Sequence, residues 1–243
     1  MKRFLAVFLV LVLTASIAFA GAGKGPKDKG PLEKIEIVHY EKGHAKPPWA
    51  GGGGKGKGKT KCYAFIAKDA KWKTVPSYAI NPFNVFNLSE SFVTSTVSKS
   101  AEVWDAASSG ELFSDSYSVD YVVQAGSLDG VNAISWGQYP QDGVIAVTTI
   151  WGYFGGKPST REIVEFDLLF DNDFEWGNAD LDPLKMDLEN IAVHELGHGL
   201  GLADLYESAC LDETMYGYSS EGEISKRDLN SGDVQGIQKL YGA

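Results

Sequence analysis

"HELGHGLGLAD", His194–Asp204, is the stretch on which the rest of the chain turns. On an α-helix, residues four apart share one face about one turn apart. His194 and His198 therefore present two imidazoles to one point, with Glu195 beside them and within reach of a water held there. This is the H-E-x-x-H arrangement, in which two histidines bind zinc and the glutamate acts as general base. The alternative is a polar helix face with two solvated histidines, but the chain has only four histidines and half of them stand here. A catalytic zinc takes a third protein ligand and keeps one position open. Whether Asp204 is that ligand is the question the stretch leaves.

Outward from the motif, "DLENIAVHELGHGLGL" reads as one helix, with Ile191, Val193, Leu196 and Leu200 toward a core. Downstream, "SGDVQGIQKLY" reads as a closing helix with Ser231 as its cap. Upstream, "SESFVTSTVSKSAEVWDAASSG" is a longer helix, capped by Ser89 and followed by Gly110. Strands are expected at Tyr63–Ala67 and in a run ending near Ile80. Further strands are expected in "SYSVDYVVQA", "VNAISWG", "GVIAVTTIWG" and "REIVEFDLLFD", runs of β-branched and aromatic residues between Gly, Pro and Asp turns. The order describes an α/β layered domain of about 180 residues.

Extended, the motif resembles that of the metzincin zinc endopeptidases, most closely their matrixin-like branch. Their H-E-x-x-H-x-x-G-x-x-(H/D) is matched by His194, Glu195, His198, Gly201 and Asp204, and "DETMYG" supplies a Met-turn at Met215. The resemblance runs from about Cys62 to Gly242. It implies an α/β (α+β) metzincin-like fold: a mixed twisted sheet with a long helix, an active-site helix and a C-terminal helix. Gly201 is suited to the sharp turn that lets a third side chain approach the metal. Most metzincins use His as third ligand; the snapalysin-like enzymes use Asp. Carboxylate oxygen is an accepted zinc ligand, so the resemblance assigns Asp204, with Glu207 and Glu213 the nearest other carboxylates. It also implies the reaction. Zinc activates a water and polarises a peptide carbonyl, while Glu195 takes the water's proton and passes it to the leaving amine. The substrate adds as a strand along Gly143–Ile150. Some metzincins set a tyrosine near the zinc two residues after the Met; here that position is Gly217, flanked by Tyr216 and Tyr218. Asp167, Asp171, Asn172 and Asp173 are candidate calcium ligands. The histidine-bearing second zinc site of animal matrixins has no histidines available here.

The beginning of the chain differs from the body. "MKRFLAVFLVLVLTASIAFA" has the charged start, apolar run and small-residue end of a secretory signal peptide over residues 1–20. Residues 21–60 form a basic Gly/Lys/Pro-rich arm or pro-segment with one apolar patch, "LEKIEIVHY", at Leu32–Tyr40. They hold 9 Lys and 4 acidic residues, against 11 Lys and Arg and 28 acidic residues in 61–243. Such an arm serves as a linker, folds back onto the acidic body, or adheres to an anionic cell surface. The acidic body argues against nucleic acid as a partner. Cys62 and Cys210, the only cysteines, are expected to pair after export; the rival is a thiolate switch on the zinc, whose usual motif is absent around "KTKCYAF". The expectation is a secreted, extracellular, monomeric zinc endopeptidase acting on proteins or peptides, without stable membrane insertion after signal cleavage. The competing class is a non-catalytic metzincin scaffold that serves as a surface or binding protein.

Overall fold

The structure, a computed structural model, describes residues 29–44 and 61–243. The signal-peptide reading of 1–20 and most of the arm fall outside the described residues. The elements in chain order are β1 (Glu33–Glu41), β2 (Tyr78–Ile80), α1 (Glu90–Asp105), β3 (Tyr117–Val119), β4 (Ala133–Gly137), β5 (Val144–Tyr153), β6 (Glu162–Asp171), β7 (Trp176–Gly177), β8 (Met186–Asp187), α2 (Leu188–Gly199), β9 (Tyr218–Ser219) and α3 (Ser231–Tyr241). Seven strands make one mixed sheet in the order β3-β2-β4-β6-β5-β1-β9. β5 runs antiparallel to both its neighbours, β6 and β1. The remaining pairings in the sheet are parallel. β7 and β8 form a separate short pair that leads into α2.

Helix α2 is the centre of the molecule. Every residue in it but Glu189 is buried. Asp187 caps it, accepting from the Asn190 backbone N–H at 2.8 Å, which satisfies a donor the helix start would leave orphaned. One side of α2 lies on β5 and β6, and the other packs against α1. Trp104 of α1, fully buried, donates its indole N–H to the Val193 carbonyl at 2.8 Å. Phe166, Leu168 and Phe170 of β6 fill the space beneath α2. Ser89 caps α1 as the sequence suggests, accepting from Phe92 N–H.

Four expectations need correction. Tyr63–Ala67 is not a strand of the sheet. Its backbone pairs with the chain leaving α2, Ile66 N–H to Gly201 O and Ala203 N–H to Ala64 O, with one bridge between Phe65 and Leu202. The cap of α3 is Asn230, not Ser231, because Asn230 and Asp233 form a reciprocal capping box one residue earlier. The run "SYSVDYVVQA" yields only the three residues of β3; Tyr121 and Val122 are left in solvent. The largest difference is in the arm. Its apolar patch is β1, inserted between β5 and β9 with Ile37, Val38, His39 and Tyr40 buried.

Candidate metal centre and cleft

His194 and His198 project from the buried face of α2 as the four-residue spacing requires. Each donates Nδ1–H to a backbone carbonyl, His194 to Thr214 O at 2.7 Å and His198 to Leu202 O at 2.9 Å. These bonds fix both rings with Nε2 turned to a common point, which is how outer hydrogen bonds prepare histidine for a metal. After α2 the chain reverses at Gly201, whose φ of +105° is costly for any residue with a Cβ. The reversal brings Asp204 under the histidines.

The three facing atoms are His194 Nε2, His198 Nε2 and Asp204 Oδ1. They lie 3.1, 3.2 and 3.3 Å apart. A tetrahedral zinc with bonds of about 2.0–2.1 Å needs ligand atoms roughly 3.3 Å apart, so the triangle fits that ion. Asp204 Oδ1 supports this: it is buried and receives no hydrogen bond of acceptable geometry, although both imidazoles are near. The nitrogens aim at a shared point rather than at the oxygen. Burial alone would raise the Asp204 carboxyl, but the two imidazoles outweigh it and hold it well below the usual range. Burial lowers His194 to about 4, helped by the neighbouring His39. For His198 burial pulls the same way, but the Asp204 carboxylate overcomes it and lifts the ring to about 9.

Glu195 is fully buried, and burial pushes its carboxyl above the ordinary range. Its Oε2 accepts from Thr148 Oγ1 of β5 at 2.6 Å. Its Oε1 lies 2.9 Å from Nδ1 of His39 of β1, within hydrogen-bond distance. Residues 71–242 match the matrixin family of peptidases (M10). The chain belongs to the matrixin family. Local relatives include mouse stromelysin-1, 43% identical over 77 residues (31% of this chain, 15% of the relative). The metalloendoproteinase 2-MMP of Arabidopsis thaliana is 48% identical over 58 residues (24% and 14%). Human matrix metalloproteinase-16 is 41% identical over 78 residues (31% and 12%). The matched stretches thus span well under a fifth of those curated relatives.

Met215 is buried, and its sulfur lies where a Cβ on Gly197, between the two histidines, would come within 2.4 Å. The methionine thus packs against the face of α2 that carries the two histidines. Cys62 and Cys210 are disulfide-bonded, across 148 residues of sequence, which excludes a thiolate switch. The bridge ties the start of the domain to the segment between Asp204 and Met215. Glu207 and Glu213 do not join the metal group; Glu213 accepts from the backbone N–H groups of Gly232 and Asp233 at the start of α3.

Sequence reasoning missed Tyr206. Its hydroxyl donates to Asp204 Oδ2 at 3.0 Å, and its ring stands over Gly217, where any Cβ would clash at 2.7 Å. The absent side chain at 217 makes room for a tyrosine that comes from before the Met-turn instead of after it. In the adjoining wall Tyr218 meets the rings of Tyr206 and Tyr216 edge-on. That wall, β9, is anchored by Lys226, a buried lysine donating to Tyr218 O at 2.8 Å and Ser219 Oγ at 3.0 Å. The acidic residues considered for calcium are otherwise engaged. Asp167 accepts from the backbone of Gly126, Ser127 and Ala133, and Asp171 from Tyr139 and Asp173. They form no metal-ligating cluster among the described residues. No helix among the described residues is long and apolar enough to cross a membrane.

Proposed function

We propose that the chain is a zinc-dependent endopeptidase in which His194, His198 and Asp204 hold the metal and Glu195 moves the proton. The observation that carries this reading is the triangle of Nε2, Nε2 and Oδ1 at 3.1–3.3 Å, with a buried glutamate on the same helix turn. Zinc, when bound, would supply Lewis acidity, polarising a substrate carbonyl and making a water easier to deprotonate. Glu195 accepts that water's proton and delivers it to the departing amine nitrogen. A raised carboxyl suits both halves of that task, since it takes a proton readily and remains able to give it up. Thr148 holds Oε2 so that Oε1 is the oxygen that works. Tyr206 orients Asp204, and burial keeps bulk water away from the transfer.

The substrate would lie extended along β5, in the place that β1 holds between β5 and β9, its backbone continuing the sheet. Protein or peptide chains are therefore the partners we expect, and nothing on the acidic body favours nucleic acid. The Cys62–Cys210 bridge fits an oxidising compartment and supports export directed by residues 1–20. The non-catalytic alternative has one observation on its side: His39 already contacts Glu195 and closes the cleft. A single assay separates the two. Zinc is titrated into chain cut between residues 45 and 60, and cleavage of casein or a peptide library is followed. Glu195→Gln should retain zinc and lose about 10²–10⁴-fold in kcat/KM. Near-normal cleavage by the zinc-loaded variant refutes the role of Glu195; no cleavage by either protein favours the binding scaffold.

A further inference from the structure

We propose that Lys226 and Asn190 make the cleft select a substrate with a carboxylate side chain, Asp or Glu, next to the bond that is cut. This rests on the peptidase reading above and names the class of substrate that the site takes.

The first support is a buried charge that the chemistry of the metal centre does not use. Lys226 is 2% exposed, and lysine is almost never fully buried unless it is paired. It stands in the short turn Ser225–Arg227, which packs on α2. Its backbone N–H donates to Asn190 Oδ1 at 2.7 Å. From there the side chain runs to β9, where Nζ donates to Tyr218 O at 2.8 Å, to Ser219 Oγ at 3.0 Å and to the Glu223 carboxylate. Three acceptors match the three N–H donors of an ammonium. The lysine therefore bridges the helix of the metal ligands and the wall of the cleft. Glu223 is the one charged partner of the three. Its side chain is 24% exposed, so it is free to turn to water when another carboxylate takes its place.

The second support is what the charge reaches. A substrate in the place of β1 turns one side chain toward α2 at the register of His39, opposite Ala146. The His39 ring lies there, against His194 and Glu195. Burial lowers that ring to about 3, and among the charged groups around it Lys226 lowers it most. The substrate side chain beside Glu195 thus lies in the field of Lys226, which disfavours a cation and favours an anion. That field acts across a buried space of low dielectric, whereas the carboxylates of the outer surface are screened over about 8 Å. Glu195 and Asp204 do not cancel it, since the two charges of zinc would offset them when bound.

The third support is an unmet donor. Asn190 stands one turn before His194 on the same face of α2. It is fully buried, its Oδ1 is taken by the Lys226 backbone, and its Nδ2 has no hydrogen-bond partner. Buried amide donors are rarely left unmet. His39 does not meet it, and its own Nε2 is buried without a partner as well. A carboxylate brings two acceptor oxygens and the charge that matches the ammonium. A carboxamide of the same shape brings one acceptor and no charge, and an apolar side chain brings neither.

The test uses the zinc-loaded chain cut between residues 45 and 60, as in the assay above. A peptide library randomised around the cut bond should show Asp or Glu enriched at one position adjoining it. A matched pair with Glu or Gln at that position should differ by at least about 10-fold in kcat/KM at pH 7, the effect of one hydrogen bond to a charged group. Lys226→Met should bring that ratio to within about twofold of one, while Lys226→Arg keeps most of it. Asn190→Asp, which keeps an acceptor for the Lys226 backbone, should also lower the ratio. A loosened β9 slows both peptides alike, so the ratio separates recognition from anchoring. A wild-type ratio near one, or a preference for an apolar side chain, overturns the proposal without any variant. A ratio unchanged in folded Lys226→Met makes the lysine an anchor of β9 alone and overturns it too. The same peptides are titrated into zinc-loaded Glu195→Gln by fluorescence anisotropy. If nothing is cut, yet the Glu peptide binds at least about 10-fold tighter than the Gln peptide, the selection stands and the peptidase reading fails. A Glu peptide that is neither cut nor bound overturns the selection.

Discussion

β5 has two antiparallel neighbours, and they are not equivalent. β6 follows it after eight residues and buries Phe166, Leu168 and Phe170 completely beneath α2. β1 makes a ladder of similar length, yet Glu33, Lys34 and Glu36 are exposed and only its second half is buried. β6 lies inside the matched family domain and β1 outside it. Backbone pairing is therefore a poor guide to permanence. What decides it is the apolar area a strand buries, and whether the domain holds together when it leaves.

The sharpest way to break this comparison is to truncate one core residue on each side. Phe166→Ala should cost about 3–5 kcal/mol in global stability, because its ring fills the core between sheet and α2. Ile37→Ala in β1 removes a side chain that is also buried, yet should lower global stability by less than about 1 kcal/mol while raising exchange at the β1–β5 amides, as local opening does. Urea melts of the full chain and amide exchange measure both. If Ile37→Ala moves the global transition by the full 2–5 kcal/mol usual for a core isoleucine, β1 is a core strand and the comparison collapses.

The disulfide gives a smaller, complementary effect. Cys62 stands at the junction between the tether and the domain, and its bond to Cys210 holds that junction in place. Replacing both cysteines by serine should destabilise the domain by about 2–4 kcal/mol through the longer loop released in the unfolded chain. It should leave the exchange protection of β1 relative to the domain unchanged, since β1 and the bridge lie on opposite sides of the tether. Selective fraying of β1 in the serine variant would mean that the bridge positions the cleft strand as well.

The two regions also differ in how far the sequence discloses them. α2 could be read from its own letters. Ile191, Leu196 and Leu200 set one face, the His spacing sets the site, and Gly201 and Asp204 follow within one turn of chain. β1 could not. Nine residues of modest apolarity sit between stretches of Gly and Lys, and the strand they pair with begins more than 100 residues later. Composition averaged over the arm reads as unable to form a core, and nothing in the sequence ties His39, remote from the motif, to that site. Its alternation with Ile37 and Ile35 was the available signal. Tyr206 was hidden for a related reason. The tyrosine two residues beyond the third ligand is informative only when set against the missing side chain at Gly217, and that opposition exists only in the fold. Tyr63–Ala67 erred the other way: its aromatic and aliphatic letters suit a strand, but its hydrogen bonds go to the turn after α2.

The smallest expected effect concerns the metal itself, and it separates the two regions once more. Tyr206→Phe removes one hydrogen bond to Asp204 Oδ2 without changing the ring that packs on Gly217. A ligand's hydrogen-bonded support typically contributes about 10–100-fold in metal affinity. Asp204 is also held by its place just after the Gly201 turn, so the lower end is expected, about 10-fold weaker zinc by competition with a chromophoric chelator. The same titration on cut and uncut wild-type chain should give affinities equal within about threefold, because the Nδ1 of His39 is taken by Glu195 Oε1. If cutting instead weakens zinc by 100-fold, His39 is a fourth ligand. β1 would then belong to the metal site as firmly as β6 belongs to the core.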